Sequence, residues 1–172
     1  NVPFSEPLYE KQVAGGEHFR FIEKVQPQHF LSAQDLKTTE EAWNGAAKIW
    51  VLTGQMHPQE ELWQTLAKLQ EHSPFLLLTE TLSNAQQVAK ISCIDRLLNT
   101  ISQQEKQDLA PDLLISIGGE VVSKMVKKFI QEHPPKAHWH VGDFHFPKDS
   151  YLQLSRMIPV QPQLFFQQLA EV

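Results

Sequence analysis

Short apolar runs recur along the chain, and most stop at a glycine. They are Ile49-Trp50-Val51-Leu52-Thr53 before Gly54, then Phe75-Leu76-Leu77-Leu78-Thr79, then Leu113-Leu114-Ile115-Ser116-Ile117 before Gly118-Gly119, then Ala137-His138-Trp139-His140-Val141 before Gly142. A shorter run, Met157-Ile158-Pro159-Val160, follows. Between these runs the apolar positions change period. Leu62, Leu66 and Leu69 follow Pro58 at helical spacing, and Val122, Met125, Val126, Phe129 and Ile130 repeat at i, i+3, i+4, i+7, i+8. Leu164, Phe165 and Leu169 follow Pro162, which suits a helix's first turn. Runs apolar at consecutive residues suit strands covered on both sides. Strands alternating with amphipathic helices predict an α/β domain of Rossmann-like, doubly wound form. It should have a mainly parallel sheet of five or six strands, helices on both faces and right-handed crossovers.

The ends of this pattern suggest its boundaries. Residues 1–16 read as an interdomain strap: Pro3 and Pro7 lack N–H donors and push Val2 and Glu6 toward extended backbone. Such an opening suggests a piece of a longer enzyme, with residues 17–172 as the globular domain. Residues 19–25 can form a short extended edge piece, since Phe19 and Phe21 alternate with Arg20. Ser32 is placed to cap a helix running through Trp43. Residues 80–112 exceed one crossover and should hold two or three short helices. One is expected from Ile91 to Thr100, another from the capping box Ser102-Gln103-Gln104-Glu105.

Composition narrows the function. At 172 residues and 41% apolar, one domain with a real core is expected. The net charge is -5 and the basic residues are scattered. Lys124, Lys127 and Lys128 form the densest group, which reads as a solvated helix face; no basic stripe suits nucleic acid. No apolar run approaches the ~20 residues of a membrane span. Cys93 is the only cysteine, so no intrachain disulfide forms, and its neighbours Ile91 and Ile94 suggest a small core residue.

Doubly wound sheets hold ligands beyond the carboxyl ends of their strands. The residues there are Gly54 and Gln55, Thr79 and Glu80, Gly118 and Gly119, and Gly142 and Asp143, which together define the candidate crevice. The plainer reading of its glycines is that they allow tight strand-to-helix turns. The dinucleotide fingerprint and the Walker sequence are both absent. His138 and His140 share one strand face, and with His145 they invite a zinc reading. A satisfied structural histidine pair is favoured, because no cysteine stands near. No nucleophile elbow occurs, and a small hydrolase built on His140 and Asp143 would lack its nucleophile. No catalytic, cofactor-binding or metal-binding residue is assigned.

Several segments, in order, resemble the middle domain of 2-succinyl-5-enolpyruvyl-6-hydroxy-3-cyclohexene-1-carboxylate synthase, a thiamin-diphosphate enzyme of menaquinone biosynthesis. They are the opening strap Asn1–Tyr9, Val51-Leu52-Thr53-Gly54-Gln55-Met56, Thr79-Glu80-Thr81-Leu82-Ser83-Asn84, residues 112–118 with Ser123-Lys124, and Trp139-His140-Val141-Gly142-Asp143. Gln55 stands where that family often has Arg, which weakens any anion contact at that turn. The resemblance implies a cytoplasmic, homo-oligomeric transferase that decarboxylates 2-oxoglutarate and adds the succinyl-semialdehyde unit to isochorismate. Its thiamin diphosphate and magnesium would be held by N- and C-terminal cofactor-binding domains of the same polypeptide, which are the implied partners of this domain. The magnesium pattern Gly-Asp-Gly does not carry over, because Phe144 follows Gly142-Asp143. The domain alone is then expected to be inactive, a scaffold between cofactor domains. The alternatives are a regulatory domain holding a downstream acidic product, or a stand-alone Rossmann-like binding module.

Overall fold

A computed structural model describes residues 30–142 and 149–171. The strap, the edge piece at residues 19–25, Asp143 and His145 lie outside the described residues.

Strands β1 (Ile49–Thr53), β2 (Leu76–Thr79), β3 (Leu113–Ile117), β4 (Ala137–Val141) and β5 (Arg156–Ile158) form one all-parallel sheet in the order β2-β1-β3-β4-β5. Side chains alternate across it. Ile49, Val51, Leu77, Ile115, Trp139 and Val141 enter one apolar layer with helices α1 (Ala33–Gly45), α2 (Glu60–His72) and α6 (Pro162–Ala170). Trp50, Leu52, Leu78 and Leu114 enter the other, with α3 (Ile94–Thr100), α5 (Lys124–Glu132) and the β4–β5 connection at Tyr151. The β1-to-β2 connection uses the first layer, while those moving toward β4 and β5 use the second. A constant crossover hand demands that split. The expected doubly wound form is therefore what the chain adopts, with five strands.

Helix α1 does not connect two strands. It crosses the amino ends of the sheet, from Arg156 at the start of β5 to Ser73 and Phe75 ahead of β2. The Arg156 guanidinium lies 2.9 Å from Asp35 and over the Trp139 ring, and Trp43 Nε1 donates to Ser73 Oγ at 2.7 Å. Ser32 caps α1 by accepting from Asp35 N at 3.1 Å, as its position predicts. The capping box at Ser102 also forms, opening α4 (Gln103–Leu109).

Some boundaries move for identifiable reasons. Ile91 is spent on a parallel bridge to Leu78, so α3 begins only at Ile94. Cys93 becomes its N-cap and is exposed, correcting the expectation of a core cysteine. Val122 matches the helical period but precedes the α5 N-cap, Ser123, and its side chain is 68% exposed. Pro58 lies two residues before α2, whose first turn carries Glu60 and Glu61.

Candidate functional site

The strand order reverses direction between β1 and β3, which makes the gap beyond them the expected ligand point of such a sheet. Here backbone fills that gap. Gly54 N donates to Ile117 O at 2.9 Å, Gln55 N to Glu120 O at 3.1 Å, and Gly119 N to Gln55 O at 2.7 Å. A Cβ on Gly54 would stand 1.9 Å from the Gly119 carbonyl oxygen. Gly118 adopts φ 76°, a conformation that strains residues with a Cβ, and turns the chain into this contact. Gly54, Gln55, Gly118 and Gly119 are thus brought together. What their small size permits is one loop lying directly on another.

The β2 loop is tied into the same surface. Met56 N donates to Leu82 O at 3.1 Å, Asn84 Nδ2 to Met56 O at 2.7 Å, and Ser83 Oγ to Thr53 O at 2.8 Å. Thr79 is buried at the strand end. The Glu80 carboxylate reaches across to α5, accepting from Val122 N at 2.8 Å and Ser123 N at 2.7 Å. These N–H groups lie at the start of α5, where the helix dipole favours an anion, and Glu80 supplies that anion from within. Ser123 Oγ also donates to Asp95. Removing the clamp in Glu80→Ala leaves two backbone donors without their carboxylate. A loss of about 2 kcal/mol in urea unfolding is expected, with Glu80→Gln recovering part of it.

Two cavities flank the closed gap. One of about 470 Å³, outside β2, is lined by Glu80, Leu82, Cys93, Asp95, Arg96 and Val122. The other, about 140 Å³, lies past β3 and β4 and is lined by Ser116, Glu120, His138, His140, Tyr151 and Met157. Gly142 ends β4 outside both sets.

The polar floor of the smaller cavity holds a residue that sequence reading passed over. Strand register pairs Ser116 with His140, and Ser116 Oγ stands 2.8 Å from both His138 Nε2 and His140 Nδ1. A hydroxyl has one proton. Donating it to one ring nitrogen, Ser116 accepts from the other, so the two imidazoles take opposite roles. The more distant Trp139 carbonyl, at 3.4 Å, is a weaker acceptor. Burial, with the neighbouring His138, lowers the His140 pKa to about 3. His140 is therefore neutral at physiological pH. The Tyr151 phenol, edge-on to His138, is pushed well above its usual range by burial and by the carboxylates of Glu120 and Glu80. The signal in the sequence was a lone hydroxyl in an otherwise aliphatic strand. Reading it required knowing that β3 pairs with β4. Ser116→Ala removes the shared partner of both rings, and a loss of about 2 kcal/mol is expected by denaturant unfolding.

Ser116 is only 6% exposed, and its hydroxyl is engaged by both rings. The arrangement organises a hydrogen-bonded pair of imidazoles at the floor of the smaller cavity. Among the described residues, no three or more His, Cys, Asp or Glu side chains gather closely enough to hold a metal ion. None of the described helices is long and apolar enough to cross a membrane. Backbone hydrogen bonds close the gap between β1 and β3, so Gly54, Gln55, Gly118 and Gly119 leave no space at that point for thiamin diphosphate.

Comparison with known proteins agrees with the fold. Residues 20–170 match the family described as "Middle domain of thiamine pyrophosphate". The curated relatives carry the name 2-succinyl-5-enolpyruvyl-6-hydroxy-3-cyclohexene-1-carboxylate synthase. The Bacteroides thetaiotaomicron protein is 33% identical over 172 residues, covering 99% of this chain and 30% of the relative. That of Phocaeicola vulgatus is 33% identical over 173 residues, with the same coverage of 99% and 30%. That of Flavobacterium psychrophilum is 28% identical over 168 residues, covering 98% and 30%. The chain therefore spans about 30% of the length of these relatives. With the match running from before α1 to the end of α6, through every strand of the sheet, the chain belongs to the thiamine pyrophosphate middle-domain family.

Proposed function

We propose that this chain serves as the central structural domain of a menaquinone-pathway synthase, holding apart and supporting the domains that bind thiamin diphosphate and magnesium. The parent enzyme would decarboxylate 2-oxoglutarate and add the succinyl-semialdehyde unit to isochorismate, as a cytoplasmic homo-oligomer. The observation that carries this reading is the 33% identity to the Bacteroides thetaiotaomicron synthase over 99% of the chain and 30% of that relative. Supporting it, the expected ligand point between β1 and β3 is occupied by backbone hydrogen bonds. A domain that must hold a fixed spacing gains from such closure, because the hydrogen bonds tie the β1 and β3 loops to one another. When bound in the parent, thiamin diphosphate would supply the carbanion chemistry. The residues of this chain would contribute rigidity and contact surface, and no catalytic role is given to them. The parts of the candidate crevice that remain open are the two flanking cavities, beside Thr79 and Glu80 and beside Gly118 and Gly119.

The test is turnover of 2-oxoglutarate with isochorismate by the full-length polypeptide and by these 172 residues separately. Activity confined to the full-length protein is expected. Turnover by the 172 residues alone would overturn the scaffold role, and an inactive full-length protein would overturn the parent reaction.

A further inference from the structure

Strands β3 and β4 pair in parallel with Ser116 beside His140, and His138 lies two residues earlier in β4, on the same side of the sheet. Ser116 Oγ therefore meets two rings from one strand, and it meets them at different atoms. It stands 2.8 Å from the Nε2 of His138 and 2.8 Å from the Nδ1 of His140. That difference decides where the protons of both rings can sit.

A neutral imidazole holds one N–H, on either nitrogen, and a serine hydroxyl holds one proton. If Ser116 donates to His140 Nδ1, that nitrogen is an acceptor and His140 holds its proton on Nε2. The other short contact then needs a proton from His138, which must hold it on Nε2 as well. If Ser116 donates instead to His138 Nε2, His138 holds its proton on Nδ1. His140 must then donate to the hydroxyl from Nδ1. The rings take opposite roles toward Ser116, yet in either state they carry the same tautomer. Passing from the first state to the second moves the His138 Nε2 proton to Oγ and the Oγ proton to His140 Nδ1. His140 Nε2 releases one proton and His138 Nδ1 gains one, so the net charge is unchanged.

We infer that His138, Ser116 and His140 form a coupled tautomer relay, in which the proton position on one ring fixes that on the other. The rival arrangement turns on the Trp139 carbonyl, 3.4 Å from Ser116 Oγ. Were the hydroxyl to donate there, both rings would donate to Oγ, His138 from Nε2 and His140 from Nδ1, and their tautomers would differ. Distance argues against it, because the ring nitrogens stand 2.8 Å away and 3.4 Å is beyond the usual range. Burial argues the same way. Ser116 is 6% exposed and His138 2%, so bulk water does not compete for the hydroxyl, and low polarity strengthens the bonds within the triad. Both rings line the cavity of about 140 Å³, whose floor therefore has two hydrogen-bonding states. Any contact that favours one tautomer at one ring shifts the other ring with it.

Ring-nitrogen NMR of the chain labelled with nitrogen-15 at histidine tests this, read at about pH 8, where ordinary imidazoles are neutral. The His138→Asn and His140→Asn variants assign the two rings by loss of their signals. In the unsubstituted chain both rings should show one shared tautomer, or the same fraction of each tautomer. His138 as Nε2–H with His140 as Nδ1–H would overturn the relay and place the hydroxyl proton on the Trp139 carbonyl. Any other mismatch between the two fractions would overturn it as well, and this reading needs no variant at Ser116. Ser116→Ala removes the coupling atom, so the two fractions should separate and change independently with temperature. Fractions that stay equal in Ser116→Ala would also sink the relay, since the match would not pass through the hydroxyl.

Discussion

Gly54→Ala is expected to destabilise the domain by about 4 kcal/mol, near the top of the range for single substitutions. The new methyl would lie 1.9 Å from the Gly119 carbonyl oxygen and 2.7 Å from its carbon. These are backbone atoms, so no side-chain rotation relieves the overlap. The β1 and β3 loops would have to part, giving up the bonds from Gly54 N, Gln55 N and Gly119 N together. Gly45→Ala is the control. Nothing stands within 4 Å of a Cβ there, and the residue ends α1, so it should be neutral or stabilise by up to about 1 kcal/mol. Urea unfolding of both variants reads the contrast. Equal midpoints for Gly54→Ala and the parent chain would mean that the two loops are not in contact.

Acidification through pH 6 should cost stability through His140, before most carboxylates take up protons. Its pKa is lowered from 6.5 to about 3, chiefly by burial. Between those values the unfolded chain binds a proton that the folded chain does not. Stability therefore rises with pH across this window, and falls as pH drops from about 6.5 toward 3. The slope approaches about 1.4 kcal/mol per pH unit. Between pH 6.5 and 5 the loss is about 2 kcal/mol, and near pH 4 it passes about 3. His140→Asn keeps a polar group near Ser116 but cannot titrate. Unfolding free energies at pH 7 and pH 5 should fall in the parent chain and stay closer together in the variant. A parent chain with no loss over that interval would show that the ring reaches water in the fold.

Much of this was legible along the chain because it depends on local chemistry. The consecutive apolar runs became β1 to β4 nearly residue for residue, and the periods after Pro58 and Pro162 became α2 and α6. Ser32 and Ser102 cap helices because a hydroxyl three residues before a free N–H is a local arrangement. Val122 shows the limit of periodicity. It fits the helical repeat by spacing alone, yet its N–H is claimed by Glu80, 42 residues away in sequence. Ile91 shows the same limit: its backbone completes a bridge to β2, and the helix it was expected to start begins later.

The chain's own sequence was enough to determine the α/β class, the strands and most helices, since burial on two faces imposes a pattern on neighbouring residues. It also placed a glycine-rich set at the strand ends. What those glycines do was decided by tertiary structure, because only the order β2-β1-β3 sets Gly54 against Gly119, 65 positions apart. The Ser116 bridge between two histidines and the Glu80 clamp on α5 depend likewise on strand register and loop placement. Such contacts join residues whose separation along the chain carries no periodic trace, so they appear only once the sheet has brought its strands side by side.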